Sequence, residues 1–104
     1  MRPREVVARG KELLILDVRE PDEWRAGRIE GARHIPMGEL PSRLGELNGN
    51  PVVVVCRSGN RSEQVTRFLR ARGFAAENLD GGMLAWQQEG LPIASPVGRP
   101  GWVA

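Results

Sequence analysis

Apolar positions along this chain fall into two kinds of run. Leu13-Leu14-Ile15-Leu16 and Val52-Val53-Val54-Val55 are short and apolar throughout, the pattern of strands buried on both faces of a parallel sheet. Elsewhere the apolar residues recur at helical spacing. Pro3 to Arg9 predicts a short helix with Val6 and Val7 inward. Pro21 to Arg25 opens on proline and two acids, carries arginine in its last turn and stops at Gly27, so breakers and charges suit a helix dipole. Ala32 to Ile35 reads as a short strand closed by Pro36, and Leu40, Leu44 and Leu47 mark a helix around Pro41. Asn48-Gly49-Asn50-Pro51 is a turn leading into the valine strand.

After the valines, Asn60 to Glu63 has capping-box spacing. It opens a helix with Val65, Phe68 and Leu69 inward, Arg67, Arg70 and Arg72 outward, and Gly73 at its end. Ala75 to Leu79 is the last predicted strand. Gly81-Gly82 then turns the chain into a helix that carries Leu84 and Trp86 and ends at Gly90. Residues 92–104, rich in proline and glycine, predict an extended tail. Alternating strands and helices at these spacings imply one α/β domain spanning residues 1–104, with helices on both faces of a mostly parallel sheet. Right-handed crossovers gather the loops after the strands on one rim.

The chain has 104 residues, enough for one core. No apolar stretch approaches the roughly 18 residues a membrane span needs, and no long apolar segment follows the N-terminus as in a secretory signal. The formal charge is only +2, and Lys11 is the only lysine among 15 basic residues. The arginines are scattered without interleaved aromatics, which argues against a nucleic-acid partner. A single cysteine cannot form an internal disulfide and suits a reducing cytoplasm.

That cysteine is the most informative residue. Cys56 ends the valine strand and opens Cys56-Arg57-Ser58-Gly59-Asn60-Arg61-Ser62, a loop running from a strand's carboxyl end to a helix's amino end. Anions bind at such junctions. A thiol with a pKa near ~8.5 is mostly protonated at neutral pH. Three features favour the anion: the helix amino end, the guanidiniums of Arg57 and Arg61, and the small residues Ser58, Gly59 and Asn60, whose N–H groups can curl into a nest. A depression of about two units corresponds to ~2.7 kcal/mol in favour of the charged form.

Such a cradle suits sulfur transfer or attack on a phosphoryl or arsenate centre. Loop length separates the two. Thiol phosphatases place five residues between cysteine and arginine, whereas here four separate Cys56 from Arg61, and the next position is Ser62. A phosphatase also needs an acid for the leaving alkoxide, and none of Asp17, Asp22 and Asp80 is obviously placed for it. Sulfite leaves without a proton.

These residues resemble a single-domain rhodanese, the thiosulfate sulfurtransferase family. The likeness runs through Leu16-Asp17-Val18-Arg19 with Glu23-Trp24, Gly27, Ile29, Gly31-Ala32 and His34-Ile35-Pro36. It continues in the six-residue loop from Cys56 to Arg61 and in Leu79, Gly81-Gly82 and Trp86. The resemblance implies a three-layer rhodanese-like sandwich on a four- to five-stranded sheet. It implies a sulfurtransferase in which Cys56 takes a sulfane sulfur from thiosulfate or a similar donor. The persulfide then passes to cyanide or to a thiol, small or on a thioredoxin-like protein, without metal or organic cofactor. A sulfur-relay or regulatory persulfide carrier acting on a protein partner is the alternative; a phosphatase or arsenate reductase ranks below both. The chain departs from the family pattern at Arg28, where many relatives have histidine, and in having only Met1 and Arg2 for the usual first strand.

Asp17 and Arg19, at a strand end beside the site, are expected to brace the active loop by hydrogen bonds. His34 reads as a structural hydrogen-bonder. Trp24 and Trp86 read as core residues, and Trp102 as packing back onto the body.

Overall fold

The computed structural model describes residues 1–47, 49–96 and 100–104. Asn48 of the expected turn and residues 97–99 of the expected tail lie outside them. The chain opens directly on helix α1 (Pro3–Arg9), followed by β1 (Leu14–Asp17), α2 (Pro21–Ala26), β2 (Arg33–His34), β3 (Val52–Val55), α3 (Asn60–Ala71), β4 (Ala76–Asn78) and α4 (Gly82–Gln88). Four parallel strands pair in the order β2-β1-β3-β4. This is the α/β architecture expected, at the lower strand count. Among the described residues no strand precedes α1, because the chain enters the helix at Pro3.

Side-chain alternation along β3 divides the core. Val52, Val54 and Cys56 share one cluster with Val65 and Leu69 of α3. Val53 and Val55 point the other way, toward Val6 of α1 and Met83 and Trp86 of α4. Helices therefore cover both faces, as the apolar runs of the two central strands require. β1 pairs with β3 along its whole length, Asp17 opposite Val55. From these neighbours the chain departs in opposite directions, β1 toward β2 and β3 toward β4. The carboxyl ends of β1 and β3 thus flank the crevice where open α/β sheets place their ligands.

Three expectations are corrected. The helix expected over Leu40–Leu47 is two 3-10 segments, Met37–Ser42 and Leu44–Glu46, because Pro41 within the first has no N–H to continue an α-helical ladder. The amino end of α3 is capped by Gly59 in the left-handed region (φ 103°) rather than by an Asn60 side chain. The two end strands are shorter than expected. In the tail, Ala94 forms an isolated antiparallel bridge with Arg28, and Gly101 packs against Gly27. The described parts of the tail therefore lie along the body; Trp102 donates its backbone N–H to Ala26 O while its side chain stays 64% exposed. Trp86 is buried as expected. Trp24 is only half-buried; it stacks on His34 (centroids 4.7 Å apart), with the Arg28 guanidinium 4.6 Å from its ring centre.

Candidate active site

Cys56 follows the last residue of β3, and alternation turns its side chain to the face that α3 covers. The loop that follows folds back over the sulfur. Gly59 N–H donates to Sγ at 3.0 Å, and Ser62 Oγ lies 3.2 Å from it. Cys56 is 1% exposed, so the sulfur forms the floor of the loop rather than its rim. Burial alone opposes ionisation. The Ser62 hydroxyl and the backbone N–H groups of Ser62, Gly59 and Ser58 outweigh it, and the thiol's pKa falls below its ordinary value. Of the amides expected to form a nest, those of Ser58 and Gly59 act on the sulfur, and Ser62 takes the place expected of Asn60.

The start of the loop is held from behind by its carbonyls. At the start of α4, Met83 N–H donates to Cys56 O and Leu84 N–H to Arg57 O, at 2.9 and 3.0 Å. This contact needs Gly82, which has φ 60° and whose missing Cβ would lie 2.5 Å from Cys56 O and 2.6 Å from Arg57 O. Gly82 thus serves the loop directly, while Gly81 makes room for Ala85 within α4. Gly59, at φ 103°, supplies the turn that aims its own N–H at Sγ.

Both loop arginines have protein partners. Arg61 makes a two-pronged bond to Glu23 of α2, Nη1 to Oε1 at 2.7 Å and Nη2 to Oε2 at 2.8 Å. Arg57 Nε donates to Ala104 O in the tail at 2.9 Å. The thiolate is therefore favoured chiefly by dipoles and the hydroxyl. In the sequence Glu23 figured in a helix start and in the family likeness; its role as the partner of Arg61 appears once α2 and α3 meet across the crevice. Ser58 and Asn60 are exposed on the rim, and Ser62 is buried beneath it.

Glu23 also gives a pH dependence. Arg61's hydrogen bonds lower its carboxyl pKa against an opposing effect of burial; the Glu20 N–H and the charges of Arg61 and Arg19 lower it further, to about 2 from 4.5. A folded-state pKa below the unfolded one means the unfolded chain binds more protons between those values. The stabilisation is complete above pH ~5 and is lost as pH falls from about 4.5 toward 2. With solvent screening it is worth about 1–2 kcal/mol. Urea-midpoint measurements from pH 6 to 2.5 are expected to show this loss in the wild type and not in Glu23→Gln; parallel curves would refute the linkage.

Asp17 and Arg19 bond to each other rather than to the active loop. Asp17 Oδ1 accepts from Arg19 N–H and Nε–H at 3.1 and 3.0 Å, and Oδ2 from Arg19 Nη2 at 2.8 Å. Arg19 Nη2 also donates to Gly27 O at 2.7 Å. The pair ties the end of β1 to the end of α2. Their expected bracing of the loop is therefore replaced by support one layer away, because the Arg19 side chain curls back onto its own strand end. His34 Nε2 lies 2.7 Å from Arg19 O, the structural role expected of it.

Sequence reasoning missed Asn78. At the end of β4, opposite Val54 in the register, it contacts both halves of the active loop. Its Nδ2 donates to Gly59 O at 3.1 Å, and its Oδ1 accepts from Ser62 Oγ. The available signal was a strand ending on asparagine, a residue strands disfavour. Among the described residues no group of three His, Cys, Asp or Glu side chains could hold a metal, and no helix is long and apolar enough to cross a membrane.

Comparison with known proteins shows the family and the fold. Residues 4–89 match the family model for the rhodanese-like domain. A sulfurtransferase of Allochromatium vinosum is 40% identical over 90 residues, covering 85% of this chain and 84% of that protein. A rhodanese-related protein from Thermoplasma volcanium superposes with a TM-score of 0.87 at 32% identity, over 90% of this chain and 95% of the other. A rhodanese-like domain protein from Staphylococcus aureus gives 0.79 at 38% identity, over 91% and 97%.

Proposed function

The chain belongs to the rhodanese-like family, and from that premise we propose that it is a sulfurtransferase that carries a sulfane sulfur on Cys56. The observation that carries this reading is the sulfur itself, facing an inward-turned Gly59 N–H and the Ser62 hydroxyl on a loop with four residues between Cys56 and Arg61. With thiosulfate as donor, the Cys56 thiolate attacks the outer sulfur. The new bond joins Sγ to that sulfur, the bond to the sulfonate sulfur breaks, and sulfite leaves with the electron pair. The persulfide anion that remains takes up the loop's N–H groups in place of the thiolate. Its terminal atom stands about 2 Å further out, one S–S bond length, which brings the reactive sulfur from the floor of the loop toward its mouth. Cyanide or an acceptor thiolate then attacks that atom and restores the Cys56 thiolate.

The loop residues Arg57 to Ser62 are the proposed anion-binding frame, with Asp17 and Arg19 supporting the strand end below it. No cofactor enters this chemistry. A lone thiol that must remain reduced between turnovers suits the cytoplasm. The short spacing to Arg61, and the claim of Glu23 on its guanidinium, count against a phosphatase or arsenate reductase.

Thiosulfate is expected to add one sulfur atom to the intact mass at Cys56, and cyanide to remove it as thiocyanate. Unchanged mass together with hydrolysis of phosphate esters would overturn the reading. Transfer to a protein thiol at least about tenfold faster than to cyanide would mark a protein relay.

A further inference from the structure

The Ser62 hydroxyl has one proton and two neighbours that can accept it. Its Oγ lies 3.2 Å from Cys56 Sγ and within hydrogen-bond distance of Asn78 Oδ1. The orientation of the Asn78 amide follows from its other contact. Gly59 O can only accept, so the nitrogen of the amide must face it, at 3.1 Å, and the oxygen must face Ser62. Two oxygens cannot bond without a proton between them. While Cys56 is a thiol, Ser62 therefore donates to Asn78, and a lone pair on Oγ accepts the S–H. When the thiol proton departs to solvent, the hydroxyl must turn its own proton from Asn78 Oδ1 to Sγ, leaving Asn78 Oδ1 without that donor.

We propose that Asn78 is a positioning residue that sets the ionisation of Cys56 by competing with it for the single hydroxyl proton of Ser62. The competition holds back the thiolate. That has a use, because nucleophilicity falls as a thiol becomes more acidic, and the best attacking thiol titrates near the working pH. Asn78 also holds Gly59 by its carbonyl, so one side chain contacts both the residue whose N–H bonds the sulfur and the Ser62 hydroxyl beside it.

Charged groups surround the loop on every side. Arg57 and Arg61 belong to it, and Glu23 approaches from α2 through Arg61. The Asp17–Arg19 pair closes the end of β1, and the Met1 ammonium pairs with Asp80 just beyond β4. Glu23 stays ionised throughout the range in which a thiol titrates, and all of these groups are common to the variants compared below.

The proposal rests on Cys56 as the reacting group, but its test does not require sulfur transfer. The pH dependence of iodoacetamide alkylation of the intact chain reports thiolate formation alone. Ser62→Ala should raise the apparent pKa by about one unit, a tenfold loss of thiolate at neutral pH. Asn78→Ala should lower it by about half a unit, roughly a threefold gain, because the freed proton remains on the sulfur side. Asn78→Asp, whose carboxylate holds the proton more firmly, should raise it by about one unit. The Asn78→Ala shift should shrink by at least half in the Ser62→Ala background, and the Asn78→Asp shift should fall to the part that is direct repulsion between carboxylate and thiolate. A residue that merely orders the loop predicts the opposite sign for Asn78→Ala, and that result overturns the proposal, as do Asn78 shifts undiminished without Ser62. Should Asn78→Ala fail to fold, the Asn78→Asp pair decides. Failure here with normal persulfide formation would leave the proposed function standing; the reverse outcome would leave the proton competition standing.

Discussion

Asp17→Ala should cost about 3–5 kcal/mol of folding stability, a large part of what a domain of this size possesses. Asp17 is 1% and Arg19 0% exposed. The carboxylate satisfies the Arg19 backbone N–H, Nε and Nη2 together. Among the described residues Arg19 Nη1 is buried without a hydrogen-bond partner, so the guanidinium is already under-satisfied and depends chiefly on the Asp17 carboxylate. Without it a cation would remain in the core with Gly27 O as its main acceptor. Asp17→Asn keeps an oxygen and the shape, and is expected to lose about half as much. The defect would also reach the site, since Val18 N–H bonds Val55 O immediately before Cys56. Urea denaturation checks both variants, and a loss below about 1 kcal/mol for Asp17→Ala would show that the pair is not the anchor of this strand end.

Cys56→Ser is expected to abolish sulfur transfer, by at least about a thousandfold, while leaving the fold in place. A serine oxygen can still accept from Gly59 N–H and meet Ser62, so the loop keeps its internal partners. It cannot supply a thiolate or store a sulfane sulfur as a persulfide. No other cysteine can substitute, because the chain has none. The measurement is mass gain with thiosulfate and thiocyanate yield with cyanide, alongside the unfolding midpoint. Turnover within tenfold of wild type would remove Cys56 from the mechanism; loss of activity with collapse of the unfolding transition would be a folding defect and would call for Cys56→Ala instead.

The local features of the site could be read from residue order because they depend on neighbours in the chain. Val52 to Val55 reads as a buried strand because the run is short, wholly β-branched and preceded by turn residues. Small residues after it must turn, and a helical period after that must place N–H groups around the sulfur. Cys56, Gly59 and Ser62 follow from that logic. Leu40 to Leu47 shows its limit: apolar spacing argued for a helix, yet Pro41 removed a donor and left 3-10 turns.

Contacts between distant segments were invisible at that level. Glu23 and Arg61 are 38 positions apart, and Asn78 is 16 from Ser62 and 19 from Gly59. Nothing local marks such pairs, because a charge or an amide reads the same whether it faces water or a partner. The sheet order brings α2 against the start of α3 and the end of β4 beneath the loop. Burial there makes every unmatched donor and acceptor costly, so each polar group must find a partner across the fold. Chain order supplied the thiol and the curl around it; packing chose which arginine is neutralised, which carbonyls are held back by α4, and where the proton of Ser62 resides.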